Sequence, residues 1–140
     1  YAHTPDALER ALNALRPSVP GRLIVVFGCG GDRDPGKRTM MGRIGVSGSD
    51  IAVITSDNPR TENPDSIVRD TISGLQPGSW EAIVDRRLAI ERALSIATEG
   101  DGILLAGKGH ETYQEIDGER RPFDESEIVR SLLEANGAAR

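Results

Sequence analysis

The sequence contains one cysteine, Cys29, and no apolar run longer than five residues. A single cysteine cannot form an internal disulfide, so a disulfide-stapled secreted fold is excluded. Runs this short cannot span a bilayer, which requires about 20 apolar residues. The chain also lacks a positively charged and then apolar leader at its start. We therefore predict a cytoplasmic protein without membrane insertion.

Aromatic residues are scarce, and the chain carries no net positive charge. The aromatic fraction is 4% and the formal net charge is −5 at pH 7. Nucleic-acid-binding domains usually carry the opposite charge and often stack bases on aromatic side chains, so we expect no nucleic-acid partner. Histidine is equally scarce, since His3 and His110 are the only two. Two histidines so far apart in the chain give no basis for a metal site, and we predict none.

The residues that are present are typical of one globular domain spanning 1–140. Hydrophobic residues make up 37% of the chain and charged residues 28%, a balance that favours a packed core over disorder. Short apolar runs alternate with longer amphipathic stretches. The runs predict strands at 22–27, 51–55, 82–84 and 102–106, and the stretches predict helices at 5–15, 37–45, 64–75, 86–97 and 125–134.

This alternation predicts an α/β fold with a Rossmann-like, mostly parallel sheet and helices on both faces. Residues 113–121 predict a C-terminal antiparallel hairpin around Asp117-Gly118, which we expect to add a strand to the sheet. Ligands of such sheets bind beyond the carboxyl ends of the strands. Three unusual loops lie there, which we call the first loop (28–36), the second loop (56–64) and the third loop (107–111).

The first loop nearly matches a nucleotide-binding phosphate loop over residues 31–38. The match fails at Arg38, where that motif needs a hydroxyl for Mg²⁺, and at Asp34, which adds negative charge to the cradle. One interpretation is a tight turn in which Asp32 or Asp34 caps the next helix. The other is that Arg33 projects into a site as an anion clamp.

The second and third loops carry the remaining candidate ligand contacts. The second loop is rich in the turn-forming residues Asp, Asn and Pro, which is typical of an ordinary turn. Arg60, close to a strand end, is also suited to carboxylate recognition. In the third loop, Lys108 and Glu111 could recognise the carboxylate and the ammonium of a zwitterion. The residues alone therefore predict a site for an anionic or zwitterionic small molecule, without indicating a reaction.

Taken in order, five segments resemble the C-terminal domain of the Mur ligases over nearly the whole chain. They are Tyr1-Ala2-His3-Thr4-Pro5-Asp6-Ala7-Leu8, Phe27-Gly28-Cys29-Gly30-Gly31-Asp32-Arg33-Asp34, Gly36-Lys37-Arg38, Thr55-Ser56-Asp57-Asn58-Pro59-Arg60 and Gly107-Lys108-Gly109-His110-Glu111. Each segment is moderately specific, and the ordered set is highly specific.

The resemblance implies that residues 1–140 are the amino-acid-binding domain of a larger three-domain ligase. In that family ATP, with Mg²⁺, phosphorylates a carboxylate of the acceptor, and the amine of an amino acid attacks the acyl phosphate. The motif of the second loop implies meso-diaminopimelate as the amino acid and UDP-MurNAc-L-Ala-D-Glu as the acceptor, in the synthesis of peptidoglycan precursors. ATP and Mg²⁺ would be held mainly by the missing central domain, so this domain alone is expected to be inactive and to hold no cofactor.

The resemblance also implies individual roles, although it assigns no catalytic residue here. The residues implied to bind meso-diaminopimelate are Arg33, Asp57, Asn58, Pro59, Arg60, Gly107 and Glu111. Among these, Arg33 and Arg60 would contact carboxylate, Gly107 would offer its backbone, and Glu111 would bind the distal ammonium. His3 is implied to border the ATP site.

Three alternatives stay open at this point. One is a lysine-adding ligase of the same family, against which Arg60 argues because lysine has no distal carboxylate. Another is a stand-alone module that binds an amino acid or an anion. The last is a free-standing nucleotide hydrolase that uses residues 31–38. Hydrolysis of ATP by this chain that is lost in Lys37→Ala would support it.

Overall fold

The computed structural model describes residues 3–32, 34–109 and 111–138. The strands are β1 (Leu23–Cys29), β2 (Ile51–Ser56), β3 (Trp80–Ala82), β4 (Gly102–Leu105), β5 (Tyr113–Ile116) and β6 (Glu119–Pro122). The helices are α1 (Pro5–Leu15), α2 (Arg38–Ser47), α3 (Pro64–Ile72), α4 (Arg86–Ile96) and α5 (Glu125–Ala138), with short 3-10 turns at Arg16–Ser18 and Pro35–Lys37.

Strands β1 to β4 form one parallel sheet in the order β3-β2-β1-β4. The central strand β1 is buried along its whole length, as its unbroken apolar run predicts. Its alternate side chains face opposite layers, because the side-chain period of a strand is two. Leu23, Val25 and Phe27 pack toward α1, α2 and α3, whereas Ile24 and Val26 pack toward α4 and α5. The predicted α/β class with helices on both faces is confirmed.

The helices begin where polar caps precede the apolar stretches. Thr4, Asn63 and Asp85 each accept a hydrogen bond from a backbone N–H in the first turn of the helix that follows. Asp124 does the same for α5, with Glu127 N at 3.3 Å from its Oδ1. Within the described part of the chain, no helix combines the length and apolar character that crossing a membrane requires.

The strand boundaries differ from the predicted ones at the edge where the loops begin. Strand β1 continues through Gly28 and Cys29, which pair with Thr55 and Ser56 of β2. A side chain at Gly28 would collide with the carbonyl oxygen of Thr55, so only glycine allows this close pairing. The ladder therefore extends two residues into the segment that we had assigned to the first loop.

The predicted hairpin forms, but it does not join the main sheet. Strands β5 and β6 make a separate two-stranded antiparallel sheet around Asp117 and Gly118, whose φ angles of 52° and 77° suit a tight hairpin turn. The expectation of an added strand in the main sheet was wrong. Strand β5 instead meets the second loop through a parallel bridge between Ile116 and Arg60.

Candidate functional site

The first, second and third loops follow β1, β2 and β4, which are neighbours in the sheet, and they meet at its carboxyl edge. A cavity of about 430 Å³ opens there, a size suited to a small molecule. Its lining brings together four of the predicted site residues, namely His3, Asp57, Arg60 and Glu111. Gly28, Cys29, Gly30, Asp34, Lys37, Arg38, Met41 and Thr4 complete the described lining.

A fully buried cation, Lys108, lies beneath this cavity. Its Nζ donates a hydrogen bond to Asn58 Oδ1 at 2.6 Å and lies 3.3 Å from Asp57 Oδ1 and 3.9 Å from Glu111 Oε1. Burial lowers the pKa of Lys108, and the neighbouring Asp57 carboxylate opposes that shift. Lys108 therefore holds residues from the second and third loops around one charge.

Asp57 is the acidic partner of this cation, with 3% of its side chain exposed. Burial alone would raise the pKa of Asp57. The hydrogen bond from His3 and the charge of Lys108 outweigh burial, so the pKa lies below its usual value. His3 Nδ1 is 3.5 Å from Asp57 Oδ2. This contact connects the N-terminal segment directly to the second loop.

The amide of Asn58 is held in one orientation by its partners. Its Oδ1 accepts from Lys108 Nζ and from the backbone N–H of Glu115 at 2.9 Å. Its Nδ2 must then face the other way, where it donates to Glu111 Oε1 at 3.2 Å. The hydroxyl of Tyr113 lies 3.4 Å from the second Glu111 oxygen. Glu111 is thereby held with its carboxylate at the cavity.

Arg60 occupies an unusual backbone conformation, with φ of 54°. A non-glycine residue in this left-handed region is uncommon and often marks a functional site. Its Nη1 donates to the carbonyl of Gly31 at 2.9 Å, and its Nε lies 3.4 Å from Glu115 Oε2. The guanidinium is therefore held at the cavity by its contacts with the first loop and with β5.

Backbone contacts join the first and second loops closely. Gly31 N–H donates to the carbonyl of Asn58 at 2.8 Å, and a side chain at Gly31 would collide with the carbonyl oxygen of Pro59. Beside this contact, the hydroxyl of Thr61 donates to Asp32 at 2.6 Å and lowers the pKa of that carboxyl. The two loops therefore form one packed unit.

The other predicted residues have different outcomes. Arg33, the proposed carboxylate clamp, lies outside the described residues, and so does His110. Pro59 is buried against the first loop rather than lining the cavity. Gly107 is buried with φ of 112°, and a side chain there would lie 3.6 Å from Asp57 Oδ2. Cys29 has a buried thiol whose pKa is raised by burial, in keeping with a small packing residue.

The geometry of residues 31–38 supports a turn rather than a phosphate cradle. The carboxylate of Asp34 caps the 3-10 turn and accepts a hydrogen bond from Gly36 N–H at 2.9 Å. This N–H group is therefore bonded within its own loop. Arg38 is buried and pairs with Glu62 at 2.8 Å and Asp70 at 2.9 Å. Its side chain fastens α2 to α3 and to the second loop.

Two buried polar residues that support the site were not singled out from the sequence. Arg86 donates to the carbonyls of Ser56 and Ala106, at the ends of β2 and β4, and to Glu125 of α5. Gln114 donates to the carbonyl of Asp57 at 2.8 Å. The first sits at a helix start and the second in a hairpin strand, so their sequence positions contain no signal of burial.

The described residues also bear on cofactor binding. Across 3–32, 34–109 and 111–138, no group of three or more His, Cys, Asp or Glu side chains could hold a metal ion. A wider groove of about 770 Å³ lies between α5 and the hairpin. It contains none of the residues predicted for the site, so the cavity at the sheet edge is the functional candidate.

Comparisons with known proteins agree with the family resemblance. A family model described as Mur ligase, glutamate ligase domain, matches residues 1–109. A UDP-N-acetylmuramoyl-L-alanyl-D-glutamate–2,6-diaminopimelate ligase from Chromobacterium violaceum is 52% identical over 139 residues, which is 98% of this chain and 28% of that protein. A ligase of the same name from Synechocystis sp. is 53% identical over 134 residues, which is 95% of this chain and 26% of that protein.

A solved structure shares the fold. The structure of a UDP-N-acetylmuramoyl-L-alanyl-D-glutamate–2,6-diaminopimelate ligase superimposes with a TM-score of 0.93 and 47% sequence identity. The match covers 98% of this chain and 28% of that one. The chain thus spans little more than a quarter of the length of the relatives it matches.

Proposed function

The chain belongs to the Mur ligase family, and from that membership we propose that it is the amino-acid-binding domain of a ligase that adds meso-diaminopimelate to UDP-MurNAc-L-Ala-D-Glu. The relatives named above carry this activity in their names and extend well beyond the matched region. The whole enzyme would supply the UDP-sugar site and the ATP and Mg²⁺ site from its other two domains. The chain by itself would bind the amino acid without joining it to the acceptor.

The observation that carries the proposal is the pairing of Arg60 and Glu111 around one cavity. Diaminopimelate presents a carboxylate and an ammonium at its distal end, and a cation and an anion held apart on a rigid frame match that pair. Asn58 orients the Glu111 carboxylate at 3.2 Å, while Gly31 fixes the Arg60 guanidinium at 2.9 Å. Both charges are thus oriented before a ligand arrives, which lowers the entropy cost of binding.

The chemistry of amide formation explains why such a frame is useful. The attacking amine must be neutral and must face the acyl phosphate, so the rest of the amino acid has to be held elsewhere. Binding the distal zwitterion at the sheet edge would leave the reacting end free to point toward the domain that carries ATP. His3, whose imidazole contacts Asp57, would lie between these two regions. Arg33 would add a further carboxylate contact.

Substrate preference in the full-length enzyme tests the proposal. Lysine differs from diaminopimelate by lacking the distal carboxylate, so Arg60 should distinguish the two. We expect Arg60→Ala to lower kcat/KM for meso-diaminopimelate by about 10- to 100-fold, the loss expected for a hydrogen bond to a charged group. The value for L-lysine should stay unchanged.

Arg121→Ala is the matched control, because Arg121 is an exposed arginine on β6. This substitution should leave kcat/KM unchanged for both substrates. A preference for meso-diaminopimelate that survives Arg60→Ala would show that Arg60 does not recognise the distal carboxylate. Efficient use of lysine by the unaltered enzyme would favour the lysine-adding alternative.

A further inference from the structure

Strand β5 runs alongside the second loop and contacts it through its backbone. The N–H of Arg60 donates to the carbonyl of Glu115 at 2.9 Å, and the N–H of Asp117 donates to the carbonyl of Arg60 at 2.6 Å. The N–H of Glu115 donates to Asn58 Oδ1 at 2.9 Å. The hairpin therefore contacts both Asn58 and Arg60 of the second loop.

These contacts explain how Arg60 keeps its left-handed backbone. With φ of 54°, the residue adopts a conformation that a non-glycine side chain disfavours, and surrounding structure has to maintain it. The hydrogen bonds on both sides of Arg60 provide that support. The side chain of Arg60 therefore leaves the backbone in a direction that an extended or right-handed helical conformation would not give.

The carboxylate of Glu115 adds a contact to the guanidinium itself. Nε of Arg60 lies 3.4 Å from Glu115 Oε2, while Nη1 donates to the carbonyls of Gly31 and Asn58 at 2.9 and 3.4 Å. These contacts, of Nη1 with the carbonyls of the first and second loops and of Nε with Glu115, fix the orientation of the guanidinium.

We propose that Glu115 is a specificity-determining positioning residue, which orients the Arg60 guanidinium toward the distal carboxylate of the amino acid. The inference rests on the proposed function and deepens it. Glu115 does not touch the ligand. It acts through Arg60, whose Nε lies near its 29% exposed carboxylate while Nη1 bonds the carbonyl of Gly31.

Kinetics of the full-length enzyme with two amino acids test this role. Glu115→Ala should raise KM for meso-diaminopimelate by about three- to fivefold, the size expected for one half-exposed ion pair, with kcat nearly unchanged. The kinetics with L-lysine should not change, because lysine presents no distal carboxylate to Arg60. Glu115→Gln keeps the size of the side chain but removes its charge, so it should show the same loss, because the contact with Nε is an ion pair.

The double variant Arg60→Ala/Glu115→Ala separates positioning from other effects. If Glu115 acts only through Arg60, the double variant should match Arg60→Ala alone. Glu119→Ala, an exposed glutamate on β6 of the same hairpin, is the matched control and should behave as the unaltered enzyme. Circular dichroism and urea midpoints of all variants would show whether each is folded.

Several results would overturn the inference. An unchanged KM for meso-diaminopimelate, an equal loss with lysine, or a further loss in the double variant would each exclude positioning through Arg60. A lower KM would show that Glu115 competes with the substrate carboxylate instead. If Arg60→Ala itself leaves the preference intact, the proposed recognition by Arg60 fails. If Arg60→Ala weakens the use of meso-diaminopimelate and Glu115→Ala does not, only the role of Glu115 is refuted.

Discussion

At the residue scale, Lys108 is a buried charge that connects the second loop to the third. Its charge is fully buried and is compensated by Asp57, while its hydrogen bond sets the orientation of Asn58. Removing one partner of a buried ion pair is costly, because the other charge is left without compensation. Lys108 therefore supports both the stability of the domain and the shape of the site.

Replacing this lysine should destabilise the domain strongly. We expect Lys108→Met to lower the free energy of unfolding by about 3 kcal/mol, since Asp57 would remain buried without its cation. Urea denaturation followed by circular dichroism measures the change. Adding Asp57→Asn should recover part of the loss, because the uncompensated charge is then removed as well.

The other lysine of the chain provides the control for this experiment. Lys37 is exposed, so Lys37→Met should change the free energy of unfolding by no more than about 0.5 kcal/mol. Equal effects of the two substitutions would show that burial of Lys108 does not matter. Strict additivity of Lys108→Met and Asp57→Asn would show that the two charges are not coupled.

At the scale of elements, the close approach of the first and second loops restricts position 31 to glycine. Its N–H bonds the carbonyl of Asn58, and no space is left for a side chain beside Pro59. We expect Gly31→Ala to push the loops apart and to cost about 2 kcal/mol of unfolding free energy. Because Arg60 also bonds the Gly31 carbonyl, binding of meso-diaminopimelate should weaken too.

Denaturation and calorimetric titration with meso-diaminopimelate in the full-length protein would measure the two effects. Gly78→Ala serves as the control, since the added methyl would lie 3.9 Å from the nearest atom, the carbonyl oxygen of Gln76. It should alter neither stability nor binding. A Gly31→Ala protein that binds normally would contradict the view that the two loops act as one unit.

The elements themselves could largely be predicted from the sequence, for physical reasons. The buried strand at Leu23 to Phe27 could be predicted because an unbroken apolar run is a local property of the sequence. The convergence of the loops followed from parallel topology alone. The family motifs then predicted which residues at that edge bind a ligand.

The remaining features depend on contacts between distant segments. The left-handed backbone of Arg60 is maintained by Glu115 and Asp117, which lie in another element. Burial of Arg86 depends on three acceptors, which lie in β2, directly after β4 and in α5, and no local pattern indicates them. The hairpin could be predicted from its turn, but its partner could not, because edge pairing depends on the assembled fold.

At the scale of the whole molecule, the sheet edge opposite the site has its own polar anchor. Asp101, just before β4, accepts from the backbone N–H of Arg22 at 2.7 Å and of Thr98 at 2.9 Å. These backbone donors, together with the Arg22 guanidinium, hold the pKa of Asp101 well below its usual value. The carboxylate ties the start of β1 to the end of α4 and to β4.

Acid should weaken this anchor in a predictable direction. Since the folded-state pKa of Asp101 is depressed, its stabilisation is fully present above the unfolded value of about 3.9 and is lost as pH falls toward the folded value. Asp101→Asn should therefore lower the urea midpoint at pH 7. Its deficit relative to the unaltered domain should shrink as pH falls below about 4.

Urea midpoints measured between pH 7 and pH 3 would test the anchor. Glu99→Gln is the neighbouring control, because Glu99 is exposed and makes no hydrogen bond or ion pair among the described residues. It should leave the midpoint unchanged at every pH. A constant deficit for Asp101→Asn over the whole range would contradict the depressed pKa.

The contact between Gly31 and Pro59 also bears on how substrate preference can be transferred between proteins. A graft of the second loop alone would set a foreign turn against a first loop shaped for another partner. Any recipient with a side chain at the position of Gly31 would reject the donor turn sterically. A chimera that exchanges both segments keeps the matched surfaces, so the pair, rather than either loop, is the smallest unit of specificity that can be transplanted.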